Sequence, residues 1–356
     1  SRQQQDTLTS EKGYYHANHQ SFYFKENVVL TNPQYKIFAD TLKFHSSTET
    51  VYFLGKTTIL SDENFIYTND GWYNTKNNTS EFYTDSYIYS ENKFIYGDTI
   101  FYNRDLGYGK ITCNALIKDT ADDLQILGDN VQLFELKDSA VITKEALLMQ
   151  FMDNDTLYLH ADTFKVYASY KYDLDSLNHD TLSIDTLRNL LAYHKVKFFK
   201  RDMQGKADSV VYNFTDSTVN FYRDPIIWSN ENQLTADFIY LQMKNKVIDA
   251  IFMEKNAFII SIADSIHKHF NQIKGIDMVG YFKEKKLYKI EVHNQAETIY
   301  FAKDDDNRYI GVNKATGNDM LIFLEDNTLK SLTFIKDPDG VFHPINEPSP
   351  KDLILK

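Results

Sequence analysis

The chain is poor in the residues that staple, bend or break a fold. One residue of 356 is cysteine, Cys113, so no intramolecular disulfide forms. It lies in the alternating run Ile111-Thr112-Cys113, which reads as a strand with Cys113 as a small core residue. The 6 prolines and 13 glycines are few, which argues against a disordered chain. No run of about 18 apolar residues exists, so no helix is apolar enough to span a bilayer. Positive charge is in deficit, with 38 Lys and Arg against 50 Asp and Glu. The resulting net charge of -12 would repel a phosphate backbone, so no nucleic-acid partner is expected. No glycine-rich phosphate loop, Ser-His-Asp set or zinc-ligand spacing occurs, and the sequence points to no enzyme, catalytic residue, metal or cofactor.

What is abundant is aromatic: 25 Phe and 25 Tyr suit pleated, half-buried strands. They recur in a template in which an aspartate is followed by apolar residues at +2 and +4 and, after a polar turn, at +11 and +13. It is complete at Asp40 (Leu42, Phe44, Val51, Phe53), Asp208 (Val210, Tyr212, Val219, Phe221), Asp237 (Ile239, Leu241, Ile248, Ala250) and Asp277 (Val279, Tyr281, Tyr288, Ile290). Asp98 fits with Ile100, Tyr102 and Ile111, although Gly109 fills one apolar slot, while Asp70 and Asp162 keep parts of it. The interval from Asp40 to Asp70 is 30 residues, from Asp70 to Asp98 28, and from Asp208 to Asp237 29. A period of this length means growth by stacking, so length alone sets no domain count.

The expected fold is all-β: stacked antiparallel hairpin repeats in an elongated ladder, in two stacks. Residues 1–20 read as a flexible leader, 21–171 as the first stack and 172–189, rich in aspartate, as an insertion or joint. A second stack covers 190–335 and a Pro-rich extended tail 336–356, because four prolines (Pro338, Pro344, Pro348, Pro350) fall there and cannot donate to a ladder. Within the second stack, Ile266, Phe270 and Ile273 follow helical spacing up to Gly275, which predicts one short helix near 264–274. The opening residue, Ser1, is compatible with a removed signal peptide or with a trimmed sequence.

Side chains two apart on a strand share a face, so each repeat has one greasy face, and stacked repeats align those faces into a strip. Two opposed sheets make of it a trough that packs shut or holds an apolar guest. The candidate lining is Leu42, Phe44, Val51, Phe53, Ile100, Tyr102, Ile111, Val210, Tyr212, Val219, Phe221, Ile239, Leu241, Val279 and Tyr281. The recurring aspartates read as turn formers that accept from nearby backbone donors. Asp304-Asp305-Asp306 lacks the glycine and distal glutamate of a calcium loop and reads as a solvated turn. Trp72 and Trp228 offer faces for sugars, so a carbohydrate-binding or structural scaffold protein of the cell envelope is the alternative function.

The segments Ala192-Tyr193-His194-Lys195-Val196-Lys197-Phe198-Phe199 and Gly205-Lys206-Ala207-Asp208-Ser209-Val210-Val211-Tyr212 resemble the repeat of the OstA-like proteins, the organic-solvent-tolerance group with the LptA-type lipopolysaccharide-transport proteins. Ala39-Asp40-Thr41-Leu42 and Ala236-Asp237-Phe238-Ile239-Tyr240 are similar to the same Ala-Asp start, and Glu26-Asn27-Val28 to its Asn-Val strand. Phe270-Asn271-Gln272-Ile273-Lys274-Gly275 is similar to a stretch that precedes the last repeats of longer members. The resemblance covers roughly 22–300 and implies a twisted β-jellyroll in the periplasm whose interior accepts the acyl chains of the lipid A of lipopolysaccharide. It further implies a bridge that joins other jellyroll transport proteins by edge-strand addition, with head-to-tail self-association as a variant. Lys195, Lys197, Lys200 and Arg201 are then the candidate contacts for lipid phosphates.

Overall fold

A computed structural model describes residues 7–62, 64–90, 92–121, 123–152, 155–173, 183–229, 231–244, 247–264, 269–284, 286–304, 306, 308–325, 328–344 and 353–355. Among these the chain is antiparallel β-strand with two short 3-10 turns and no α-helix. It divides into two compact units, Ser1–Ala168 and Ser169–Lys356.

The first unit is a meander. β1 (Thr7–Thr9) and β2 (Lys12–His16) both pair with β3 (Ser21–Thr31), so the expected flexible leader is laddered from Thr7; residues 1–6 lie outside the described set. Each next strand then pairs with the one before it: β4 (Tyr35–His45), β5 (Thr50–Ser61), β6 (Asn64–Asn74), β7 (Thr79–Ser90), β8 (Lys93–Asn103), β9 (Tyr108–Asp119), β10 (Leu124–Phe134), β11 (Ser139–Met152) and β12 (Asp155–Asp173).

Every ladder from β3 to β12 shifts register at mid-strand, as between Lys25 and Val28 or between Tyr83 and Ser86. The cause is a pair of left-handed residues. Glu26–Asn27, Thr84–Asp85, Cys113–Asn114 and Lys144–Glu145 have φ between +49° and +64°, and Gly55 has φ +92°. In the first four repeats these corners start at residues 26, 55, 84 and 113, which is the 29-residue period written in backbone. Two extra residues bend a strand sharply, so its halves form two arms. Cys113 belongs to a corner and is exposed, which corrects its expected place in the core.

The inward side chains on either side of the corner are matched in rows by neighbouring strands. The row on one side is Leu42, Phe53, Gly71, Phe82, Ile100, Ile111, Val131, Ile142 and Phe164, paired strand by strand. Its members other than Gly71 are at most 4% exposed. The row on the other side holds only small or short residues: Val28, Ala39, Thr57, Thr68, Ser86, Gly97, Ala115, Gly128, Ala146 and Ala161. A Cβ on Gly97 would lie 2.2 Å from Cγ2 of Ile111, and one on Gly128 2.5 Å from Cγ2 of Ile142, so nothing larger fits beneath the next strand's aliphatic chain. Gly71 similarly leaves space across which Phe53 and Phe82 stack at 6.1 Å.

The second unit keeps the rows but breaks the strands at the corners. β13 (Ser183–Lys200) pairs with β14 (Met203–Asn213), whose two halves pair with separate strands, β15 (Thr218–Tyr222) and β16 (Ile226–Ser229), on either side of the left-handed Arg223–Asp224. One arm continues from β15 through β18 (Phe238–Lys244), β19 (Val247–Glu254), β22 (Asp277–Lys283), β23 (Lys286–His293), β26 (Asp319–Glu325) and β27 (Thr328–Ile335). The other continues from β16 through β17 (Asn232–Thr235), β20 (Ala257–Asp264), β21 (His269–Gly275), β24 (Ala296–Lys303), β25 (Tyr309–Gly317) and β28 (Asp339–Pro344).

The helix expected near 264–274 is thus absent over 269–274. That stretch is β21, paired with β20 on one side and β24 on the other, and a strand filling both edges of a gap outweighs a local 3.6-residue spacing; residues 265–268 lie outside the described set. β28 also pairs with β25 through Asp339–Pro344, where the prolines suggested no ladder: Pro344 is the last residue of the strand and Pro338 precedes it. Of the expected joint at 172–189, residues 174–182 lie outside the described set, while β12 reaches Asp173 and β13 starts at Ser183.

The aspartates serve the corners. Asp98 accepts from the side-chain amide of Asn114 at 2.9 Å and Asp237 from that of Asn256 at 3.0 Å. Asp277 accepts the backbone N–H of Lys255 at 3.0 Å and Asp319 that of Asn294 at 3.1 Å. Backbone donation from Asn294, reinforced by the Asn318 amide, holds the Asp319 carboxyl below its ordinary range. A carboxyl depressed on folding stabilises above its unfolded value, near pH 4, and that stabilisation is lost as pH falls through the lower folded value. Asp319→Asn is therefore expected to lower the melting temperature at pH 6 while flattening its fall between about pH 5 and pH 2.5; parallel curves would contradict the role given to this carboxylate. Gly97→Val should cost about 1–3 kcal/mol in urea unfolding through its clash with Ile111. Gly109→Ala, whose Cβ would sit 3.5 Å from Leu133, should be tolerated.

Candidate functional site

The inward rows are an apolar surface that the repeats generate strand by strand. In the first unit the row beyond the small residues is aliphatic on every strand: Leu30, Ile37, Ile59, Ile66, Ile88, Ile95, Ile117, Ile126, Leu148 and Leu159, each opposite the next. Over β5–β9 these isoleucines are half-buried, whereas Leu42, Phe53, Phe82, Ile100 and Ile111 behind the corner are sealed. An apolar strip five strands wide thus keeps part of its surface in contact with solvent. At about 1.5–3 kcal/mol per fully buried aliphatic side chain, its remaining exposed area is a source of affinity for a greasy ligand.

The second unit is closed where the first is open. Val210, Phe221, Ile239, Met253, Met278, Val292 and Met320 form one row, each at most 2% exposed. Phe198, from the other arm, reaches Phe221 at 5.2 Å by lying over Gly205, where a Cβ would come within 2.4 Å of the Phe198 ring. Contact between arms here is direct. The Ile227–Leu234–Ile259 row opposite is at most 7% exposed.

The expected lining residues divide accordingly. Leu42, Phe53, Ile100, Ile111, Val210, Phe221, Ile239 and Leu241 face inward and are buried. Phe44, Val51, Tyr102, Tyr212 and Val219 face inward near the strand ends and are half-buried. Burial pushes the Tyr102 hydroxyl up to about 12, helped by its hydrogen bond to Glu135 at 2.6 Å. Val279 and Tyr281 do not belong to this face. Met278 and Gly280 are buried opposite Met253 and Ile251, so Val279 and Tyr281 point outward, where the Tyr281 hydroxyl donates to Glu291. The displacement has a cause: the fixed element is the small residue at the corner, three before the first buried position, as in Ala39–Leu42, Ala207–Val210, Ala236–Ile239 and Gly275–Met278. The aspartate follows that small residue by one position in Ala39-Asp40, Gly97-Asp98, Ala207-Asp208 and Ala236-Asp237, and by two in Thr68-Asn69-Asp70 and Gly275-Ile276-Asp277.

The four basic residues do not form one patch. Lys195 is the second left-handed residue of a corner and Lys197 lies on the outer face opposite Lys206. Arg201 sits in the turn, and Lys200 is on the inward side opposite Met203, bonded to Asp202 at 2.9 Å. At the acidic run, Arg308 donates to Asp304 and Asp306 at 3.0 and 2.7 Å, which makes the turn an ion-pair cluster; Asp305 lies outside the described residues. The two tryptophans are on the outer face, each tied by its indole N–H, Trp72 to the Tyr83 hydroxyl and Trp228 to Gln233.

Two family profiles match the chain. One, described as OstA-like protein, matches residues 1–98. The other, described as LptA/(LptD N-terminal domain) LPS transport protein, matches residues 120–247. Among solved structures, LptH, described as the LptA homologous periplasmic component of the conserved lipopolysaccharide transport device from Pseudomonas aeruginosa, aligns at 15% identity with a TM-score of 0.26, covering 28% of this chain and 76% of that one. No curated protein sequence matches. With residues 1–98 and 120–247 matched by the two profiles, the chain belongs to the OstA-like, LptA-type family.

Proposed function

We propose that the chain is a lipopolysaccharide-transport protein of the periplasm that holds lipid A acyl chains against the open aliphatic row of its first unit. The observation that carries this reading is the half-buried isoleucine row over β5–β9 beside a sealed second row. Each methylene that leaves water there contributes about 0.8 kcal/mol, so several acyl chains bind firmly with no catalytic group. Family membership supports the same cargo. Exposed apolar side chains on the terminal strands, Tyr14 and Tyr15 on β2 and Val341 and Phe342 on β28, support docking of further jellyroll proteins by strand addition.

Native mass spectrometry of protein purified from a lipopolysaccharide-producing cell, with lipid A titration in vitro, tests the reading. Ile88→Asp combined with Ile95→Asp places two charges on the open row and should weaken lipid A binding roughly tenfold or more. Trp72→Ala, on the outer face, should leave it unchanged. A wild-type protein that carries no lipid and fails to bind lipid A would overturn the proposal.

A further inference from the structure

Sheets of this kind ordinarily expose the face that looks away from the interior, yet around β21, β24 and β25 both faces are buried. Thr298 and Ala315, on the inward side, are 2% and 6% exposed; Ile299, Phe301 and Val312, on the outward side, are 0%, 3% and 0% exposed. The outward cover is the segment Leu353–Leu355, far along the chain from β21. Leu355 is 8% exposed and packs into the cluster of Ile299, Phe301 and Val312, with Leu353, Phe258 and Tyr309 around it. Ile354 between them is 63% exposed. Two leucines enter and the residue between them points to solvent.

The backbone of this segment is read as well. Gln272, 5% exposed on β21, donates from Nε2 to the carbonyl of Leu353 at 2.8 Å and accepts at Oε1 from the N–H of Leu355 at 3.0 Å. Both halves of one amide thus bond the backbone on either side of Ile354, as a neighbouring strand would. Asn271 holds the floor in place by accepting the Phe301 N–H at 2.9 Å, the His269 ring stacks on Phe301 at 4.6 Å, and the Tyr309 hydroxyl donates to the Ala263 carbonyl.

From these contacts we infer that the outward face of β21–β24–β25 is a peptide-recognition slot, distinct from the lipid-binding interior, which takes a Leu-x-Leu segment through two apolar anchors and the Gln272 amide clamp. Its occupant is the chain's own Leu353–Leu355. Such a slot is a displaceable latch. A side-chain amide and two leucines hold the segment without joining it to the ladder, so a free peptide of the same chemistry competes for the site in proportion to the fraction of time that the latch is open.

The test uses the full chain and a fluorescein-labelled hexapeptide of residues 351–356, Lys-Asp-Leu-Ile-Leu-Lys, read by fluorescence anisotropy. Leu355→Asp drives the chain's own segment out. It should raise peptide affinity at least about tenfold over wild type, while Ile354→Asp, at the outward position, should not. Adding Gln272→Ala to Leu355→Asp should abolish most of that gain, and a labelled peptide with both leucines replaced by Asp should bind none of the variants. Circular dichroism melts of each variant establish that the sheet persists. Equal peptide binding by wild type and Leu355→Asp, absence of binding by Leu355→Asp with its fold intact, or full binding without Gln272 would each overturn the inference. Lipid A binding should be unchanged by Leu355→Asp, so failure here and failure of the lipid reading are distinguished.

Discussion

A strand that bends back at mid-length has no room inside the bend for a large side chain, and this steric condition governs the molecule. At each corner of the first unit the inward residue is Ala, Gly, Ser, Thr or Val, and an added methyl would overlap the next strand's aliphatic chain, as at Gly97 against Ile111. The left-handed pair on alternate strands provides the turn, at a cost that Asn and Asp lower because they tolerate this backbone region. Carboxylates from the neighbouring strand bond those pairs and fix the corner's position along the ladder. The rows follow from it: once the bend repeats at one register, every other inward residue is placed.

The two units show what happens when that plan is varied. Continuous bent strands in the first unit leave the far aliphatic row half-buried over β5–β9, so part of the apolar surface stays in contact with solvent. In the second, Phe198 crosses over Gly205 to Phe221, and the row from Val210 to Met320 is buried. The same residue classes therefore form a partly open apolar surface in one unit and a core in the other. The lipid-binding proposal rests on the first unit, while the second carries the Leu-x-Leu slot on its outward face.

Much of this was legible in the residues. Alternation and period specified antiparallel repeats, and Leu42, Phe53, Ile100, Ile111, Val210, Phe221, Ile239 and Leu241 emerged as inward-facing. Taking the aspartate as the fixed point misplaces Val279 and Tyr281, because the steric anchor is the small residue and the aspartate slides by one position after Gly275. The same template omits the isoleucine row, although every member lies two residues from the small corner residue of its strand, as in Thr57 and Ile59, Ser86 and Ile88, or Ile95 and Gly97. That spacing becomes visible only when the corner is known to divide each strand into two arms. The helix expected at 264–274 failed for a related reason, since Phe270, Gln272 and Lys274 alternate with Asn271, Ile273 and Gly275 across a sheet whose two faces both need cover.

By itself the sequence determined the strand class, the period and the apolar character of the inward face, because these are set by neighbours two residues apart and by a repeat of about 29. Only the tertiary structure decided which aliphatic residues stay open to solvent, that Cys113 turns a corner, and that Gln272 meets Leu353 and Leu355. These facts depend on bends and on contacts more than 80 positions apart, and no local pattern of side chains encodes where a chain returns to itself.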